Sequence, residues 1–168
     1  MLCCLFLLEF DRLDLLTDDD TEFFDRHGYL RIPSIFTPDE IVELATELDW
    51  LIDAWAGRSQ GWSGDWRRVY MDPDTEKQSK LVAMHDLYFY SDAWMRAVTH
   101  PLLTTAMCQL IGPNVEVHHS TMHVKPPETG HPFPMHQDWA FYQHENGRYI
   151  DVLVHLDDTD ADNGEIRF

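Results

Sequence analysis

The sequence predicts an α+β, mainly β domain with its helices first and its strands after. Three observations predict this. Two segments before residue 60 carry helix start signals ahead of apolar stretches. From Val115 onward the apolar period changes to two and β-branched residues enter. The chain has 168 residues, 44% hydrophobic and 25% charged, which is ordinary globular composition for one domain.

The first ten residues are apolar but carry Glu9, with Asp11 just beyond. They have no basic n-region and no small-residue cleavage site, so the sequence does not read as a secretory leader. The run is also too short to span a bilayer. Residues 1–16 are therefore read as an N-terminal extension and 17–168 as a single domain. Cys3 and Cys4 are adjacent, Cys108 stands alone, and no CxxC occurs, so neither a disulfide framework nor a zinc ribbon is expected. A reducing cytoplasm is the expected location.

Thr17 followed by Asp18, Asp19 and Asp20 predicts a helix N-terminus, because carboxylates suit the positive end of the dipole. Gly28 is placed to close that helix. Residues 29–32 alternate like a short strand that Pro33 stops. Thr37, Pro38 and Glu40 then form an N-cap, an N1 proline and a capping box. Ile41, Leu44, Leu48, Leu51 and Trp55 make the apolar stripe of that helix, read as core packing, and Gly57 is the expected stop. Residues 57–80 read as a long polar loop containing the pair Arg67-Arg68, an anion-attracting site or, more plainly, members of surface ion pairs. Two shorter helices follow, over 91–99 and over Pro101–Ile111, the second closed by Gly112-Pro113.

Strands are expected over 115–125 and 149–156. In the first, His119, Thr121, His123 and Lys125 would share one face, with His118, Ser120, Met122 and Val124 on the other. Between the two strands, residues 131–142 are dense in Pro, His and aromatic residues.

Twelve basic residues stand against thirty acidic ones, a formal charge of −18. That argues against a phosphate-backbone binder of nucleic acid and against docking on anionic membranes. Seven of the ten histidines fall between His118 and His155, a density that points to metal. In an extended segment His136 and Asp138 point the same way, so an imidazole and a carboxylate can share one ion. Such a pair begins a 2-His-1-carboxylate iron(II) site. Composition alone supplies about one His-x-Asp by chance. The chain has a second, His155-Leu156-Asp157, and spacing does not choose between them.

Context does choose. Lys125-Pro-Pro, Gly130, His131-Pro and His136-Gln-Asp-Trp-Ala-Phe-Tyr occur in one run. Around them stand FDRHGYLRIP at 24–33, the Thr37-Pro-Asp-Glu helix start, Gly112-Pro-Asn, and Leu156-Asp-Asp followed by Asn163-Gly164. In this order the pieces resemble the phytanoyl-CoA dioxygenase family over residues 20–168.

The resemblance implies N-terminal helices packed on a double-stranded β-helix, or jelly roll, that uses non-haem iron(II) with 2-oxoglutarate and dioxygen to hydroxylate a small organic or acyl substrate. It implies His136 and Asp138 as metal ligands and Gln137 as a 2-oxoglutarate contact. Thr121 and Leu153 fall where other co-substrate-pocket residues sit, although both depart from the expected residue type. Lys125 is added on electrostatic grounds, since an ammonium suits a dicarboxylate; the plainer reading is a solvated strand-end lysine. Trp139, Phe141 and Tyr142 line the mouth of the site or pack in the core. By the same resemblance, His155 and Asp157 mark an ordinary strand end.

One departure stands out. The family pattern has a later His and then an Arg, but here no His follows His155 and the only later Arg is Arg167. The sequence is therefore read as the N-terminal portion of such an oxygenase, with the jelly roll incomplete and a sheet edge exposed. Two other readings stay open: an inactive binding module keeping the front of the fold, and a metalloenzyme with His136, Asp138 and His155 as its triad.

Overall fold

The computed structural model describes residues 15–55, 83–123, 138, 145–163 and 165–167. Four α-helices and one small sheet appear there: α1 (Asp18–His27), α2 (Pro38–Trp55), β1 (Ala83–His85), α3 (Asp92–Val98), α4 (Pro101–Ile111) and β2 (Thr121–His123). A 3-10 turn, Leu87–Phe89, links β1 to α3. The described residues are thus mainly helical, with a two-stranded antiparallel sheet in which Ala83 faces His123, Met84 faces Met122 and His85 faces Thr121.

The predicted helix ends form by the predicted chemistry. The Asp20 carboxylate accepts from the Thr17 backbone N–H at 2.9 Å while the Thr17 hydroxyl accepts from the Asp20 N–H at 3.2 Å. Gly28 closes α1 in the left-handed region at φ 77°, a conformation that glycine adopts without a Cβ penalty. Thr37 and Glu40 repeat the reciprocal pair at the start of α2, at 2.7 and 3.3 Å. Ser91 caps α3, and Pro101 sits in the first turn of α4.

Two apolar clusters hold these elements together. Leu51, Met84, Leu87 and Met122 are buried as one, with Leu48, Ile52 and Trp94 packed against them. Leu44, Ala93 and Ala97 form the second, flanked by Phe36, Trp94 and Leu156. The α2 stripe therefore serves both: Leu51 at 0% and Leu44 at 2% exposure are its centres. The small Ala93 and Ala97 allow α3 to lie close against α2. At the N-terminus Leu16 is buried, and Gln109 of α4 binds that segment three ways. Its Oε1 accepts from the Leu15 and Leu16 N–H groups, and its Nε2 donates to the Leu16 carbonyl.

The strand expectations need correction. Residues 29–32 form no strand. Among the described residues of 115–125, Thr121–His123 pairs in a ladder and 115–120 joins none, while 124 and 125 lie outside the described residues. Residues 149–156 carry a strand pattern but join no ladder with any described residue. The physical reason is common to all three. Alternation prepares a segment to lie on a sheet, but a strand exists only when a second strand takes its backbone hydrogen bonds. Conversely, β1 and the 3-10 turn were not anticipated, because three-residue elements carry too little periodicity to read. The loop at 57–80 with Arg67-Arg68, and the Gly57 stop, lie outside the described residues.

Candidate functional site

The corner where β1 meets β2 collects the chemistry. Asp86 follows β1 in a left-handed conformation, φ 55° and ψ 52°, unusual for a residue with a Cβ. It is tied down by Ser120 on the opposite strand's approach. The Asp86 N–H donates to the Ser120 carbonyl at 2.7 Å, and the Ser120 N–H donates to Asp86 Oδ1 at 3.2 Å. The Ser120 hydroxyl in turn accepts from the Leu87 N–H at 3.1 Å. These bonds lock the chain reversal and place His85 and His119 on facing segments, with ring centroids 5.8 Å apart.

The imidazoles form a connected group. His118 and His119 bring their Nδ1 atoms to 2.5 Å, so one ring donates to the other. Neighbouring residues of a regular strand would face opposite sides. Here the rings meet edge to face at 4.7 Å, because the segment before Thr121 is outside the ladder. His85 Nδ1 lies 3.3 Å from the Thr121 hydroxyl. Burial pushes His119 below the ordinary imidazole value, and positive charge on His118 or His85 would add to that; Asp86 and Asp138 pull it back up. Tyr88 is pushed above the usual phenol value, first by burial and then by its hydrogen bond to the Asp86 carboxylate.

The sequence-predicted site residues divide as follows. Asp138 is half-buried in a helical turn and acts electrostatically on His119. Thr121 is half-buried on β2, against His85. Leu153, within the 149–156 segment, is 53% exposed. His155 and Asp157 are exposed. His136, Gln137 and Lys125, like Trp139, Phe141 and Tyr142, lie outside the described residues. His85 and Asp86 had not been singled out; the only sequence signal is the apolar run 81–84 that stops at a His-Asp pair.

Among the described residues no three His, Cys, Asp or Glu side chains are grouped to hold a metal ion. Asp138 offers the kind of oxygen donor that iron(II) accepts from a carboxylate, and it is half-buried.

Comparison with known proteins gives the wider class. The family model for Phytanoyl-CoA dioxygenase (PhyH) matches residues 24–168. The chain belongs to this family of iron- and 2-oxoglutarate-dependent dioxygenases, whose fold is a double-stranded β-helix. Relatives include a "Probable alpha-ketoglutarate-dependent hypophosphite dioxygenase" of Stutzerimonas stutzeri, 28% identical over 89% of this chain and 51% of its own. An ectoine dioxygenase of Streptomyces coelicolor is 28% identical over 86% of this chain and 47% of its own. An L-proline trans-4-hydroxylase of Streptomyces griseoviridis is 26% identical over 85% and 50%. The chain thus spans about half the length of the curated relatives it matches. No solved structure matches. No described helix is long and apolar enough to cross a membrane.

Proposed function

We propose that this chain carries the metal-binding front half of an iron(II)/2-oxoglutarate-dependent oxygenase that hydroxylates a small polar substrate. One observation carries the reading: the His136-Gln137-Asp138 run stands within the stretch matched by the family model. His136 and Asp138 hold the iron, and Gln137, Thr121, Leu153 and Lys125 bound the 2-oxoglutarate pocket. With iron(II), 2-oxoglutarate and dioxygen bound, such a centre supplies the oxidising power to place oxygen on a substrate C–H bond. The protein's own part is to hold donors, orient substrate and keep water out.

A small polar substrate is preferred to an acyl-CoA ester for two reasons. The relatives' names point to hypophosphite, ectoine and proline. A chain with net charge −18 also repels a polyanion.

The test is an anaerobic titration of the chain with iron(II), with and without 2-oxoglutarate, following the weak visible charge-transfer absorption. A stoichiometric band in the wild type that Asp138→Ala abolishes supports the reading. A folded chain without a band counts against metal binding by this half alone and points to the alternative, a catalytically inactive binding module. A band that His155→Ala abolishes would instead identify a triad of His136, Asp138 and His155.

A further inference from the structure

We propose that the cleft between α2 and the Leu87–Phe89 turn binds a small organic cation, of the substituted-ammonium type. The cleft has a volume of about 590 Å³, within the range of small-ligand sites. Its walls combine two kinds of group. Trp50, Phe89 and Tyr90 are exposed to 55%, 72% and 45% of their surface, a concentration of aromatic faces that a folded chain does not normally leave in water. Glu43, Glu47 and Asp92 line the same cleft.

The spacing explains how the sequence builds it. Glu43, Glu47 and Trp50 stand four and three residues apart, so they share one flank of α2, beside the Leu44–Leu48–Leu51 stripe that faces the core. Phe89, Tyr90 and Asp92 come from the turn and the first residue of α3, which pack against α2 through Leu87, Ala93 and Trp94. The opposite wall is therefore held by the core rather than by the cleft itself.

Charge selects the occupant. Among the described residues lining the cleft the one guanidinium, Arg96, is engaged by Glu43 at 2.6 Å. Among the described residues Glu47 receives the neutral Ser91 hydroxyl, at 2.9 Å, on Oε2, and no cation. Asp92 is exposed at the cleft edge. Two carboxylates are thus left without a cation among the described residues of the cleft, next to three aromatic faces. Ring quadrupoles attract a positive charge at their faces, and a nearby carboxylate adds a long-range term of the same sign. An anion meets repulsion there, and a neutral apolar ligand gains nothing from the carboxylates. A cation with an apolar shell satisfies both kinds of wall.

The test uses the full 168-residue chain with choline as the probe and 3,3-dimethylbutan-1-ol, its neutral carbon isostere, as the control. Binding is followed by chemical-shift changes of the Trp50 indole N–H. Choline is expected to give a saturable shift and the isostere none. Glu47→Gln, which keeps an acceptor for Ser91, is expected to weaken choline binding about tenfold while circular dichroism is unchanged. Trp50→Ala is expected to weaken it at least as much, with the Tyr90 ring resonances as the reporter. Equal shifts from choline and the isostere would overturn the proposal in favour of a merely apolar surface. So would an affinity that Glu47→Gln leaves unchanged, or saturation only by a Lys-rich peptide. Retention of choline binding in Asp138→Ala is expected, which keeps this result independent of the metal reading.

Discussion

The segments 38–55 and 149–156 both carry clear apolar patterns, yet among the described residues only the first builds an element. Helix α2 closes its hydrogen bonds within itself, begins on a reciprocal Thr37–Glu40 cap and buries Leu44 and Leu51 completely or nearly so. The 149–156 segment leaves Val152 and Leu153 43% and 53% exposed and, among the described residues, reaches the core through Leu156. The lesson concerns where backbone partners come from. A helix finds them four residues away, whereas a strand must find them on another segment.

The sharpest way to break this contrast is at Leu51. Leu51→Ala empties the fully buried centre of the first cluster and should cost about 2–5 kcal/mol. Thermal unfolding should show a large fall in midpoint; a change of under a degree would mean that α2 does not carry the fold. Next comes Leu156→Ala, which removes the apolar tie that the described residues show between the extended segment and the second cluster. A loss of about 1 kcal/mol is expected for a half-buried leucine. Amide exchange across 149–156 should accelerate while α2 stays protected, and equal acceleration in both would show that the two regions unfold as one.

Acid provides a finer probe. Hydrogen bonds from the Thr37 backbone and then from its hydroxyl hold the Glu40 carboxyl below its ordinary value of 4.5, with smaller help from His100 and Arg96. Asp20 is held below 3.8 by the same two kinds of bond from Thr17. Because both folded values are depressed, their contribution is present above the ordinary carboxylate values. It is lost as pH falls through the folded ones. Helicity should therefore drop in that acid range, and Glu40→Gln should flatten the drop; an unchanged acid profile in that variant would show that the cap is idle. The smallest effect belongs to the exposed Glu22–Arg26 pair of α1. Arg26→Ala should change stability by less than about 0.5 kcal/mol, and a larger loss in chemical denaturation would reveal a packing role for the arginine stem.

Two of the residues that the sequence singles out fall on described positions, Thr121 against His85 and Asp138 in the field of His119. His136-Gln-Asp is visible because an imidazole and a carboxylate two apart in extended chain share a side, and its flanking residues carry the family resemblance. His85 and Asp86 were not legible. Their importance comes from Ser120, thirty-odd residues away, whose bonds fix the left-handed turn at Asp86 and so bring His85 to His119. Nothing local in a His-Asp pair announces such a partner. The same holds for the mutual contact of His118 and His119, which strict alternation would have forbidden.

The sequence by itself determined the four helices, their caps and the stripe that packs α2, because these depend on residues at most a few positions apart. It also determined the family, through motifs whose order survives without any coordinates. Tertiary structure alone decided which alternating segments became strands, which histidines met, and which aromatic residues stayed in water. Each of those outcomes requires a partner from a distant part of the chain, and the free energy of a contact does not exist until both halves of it have arrived.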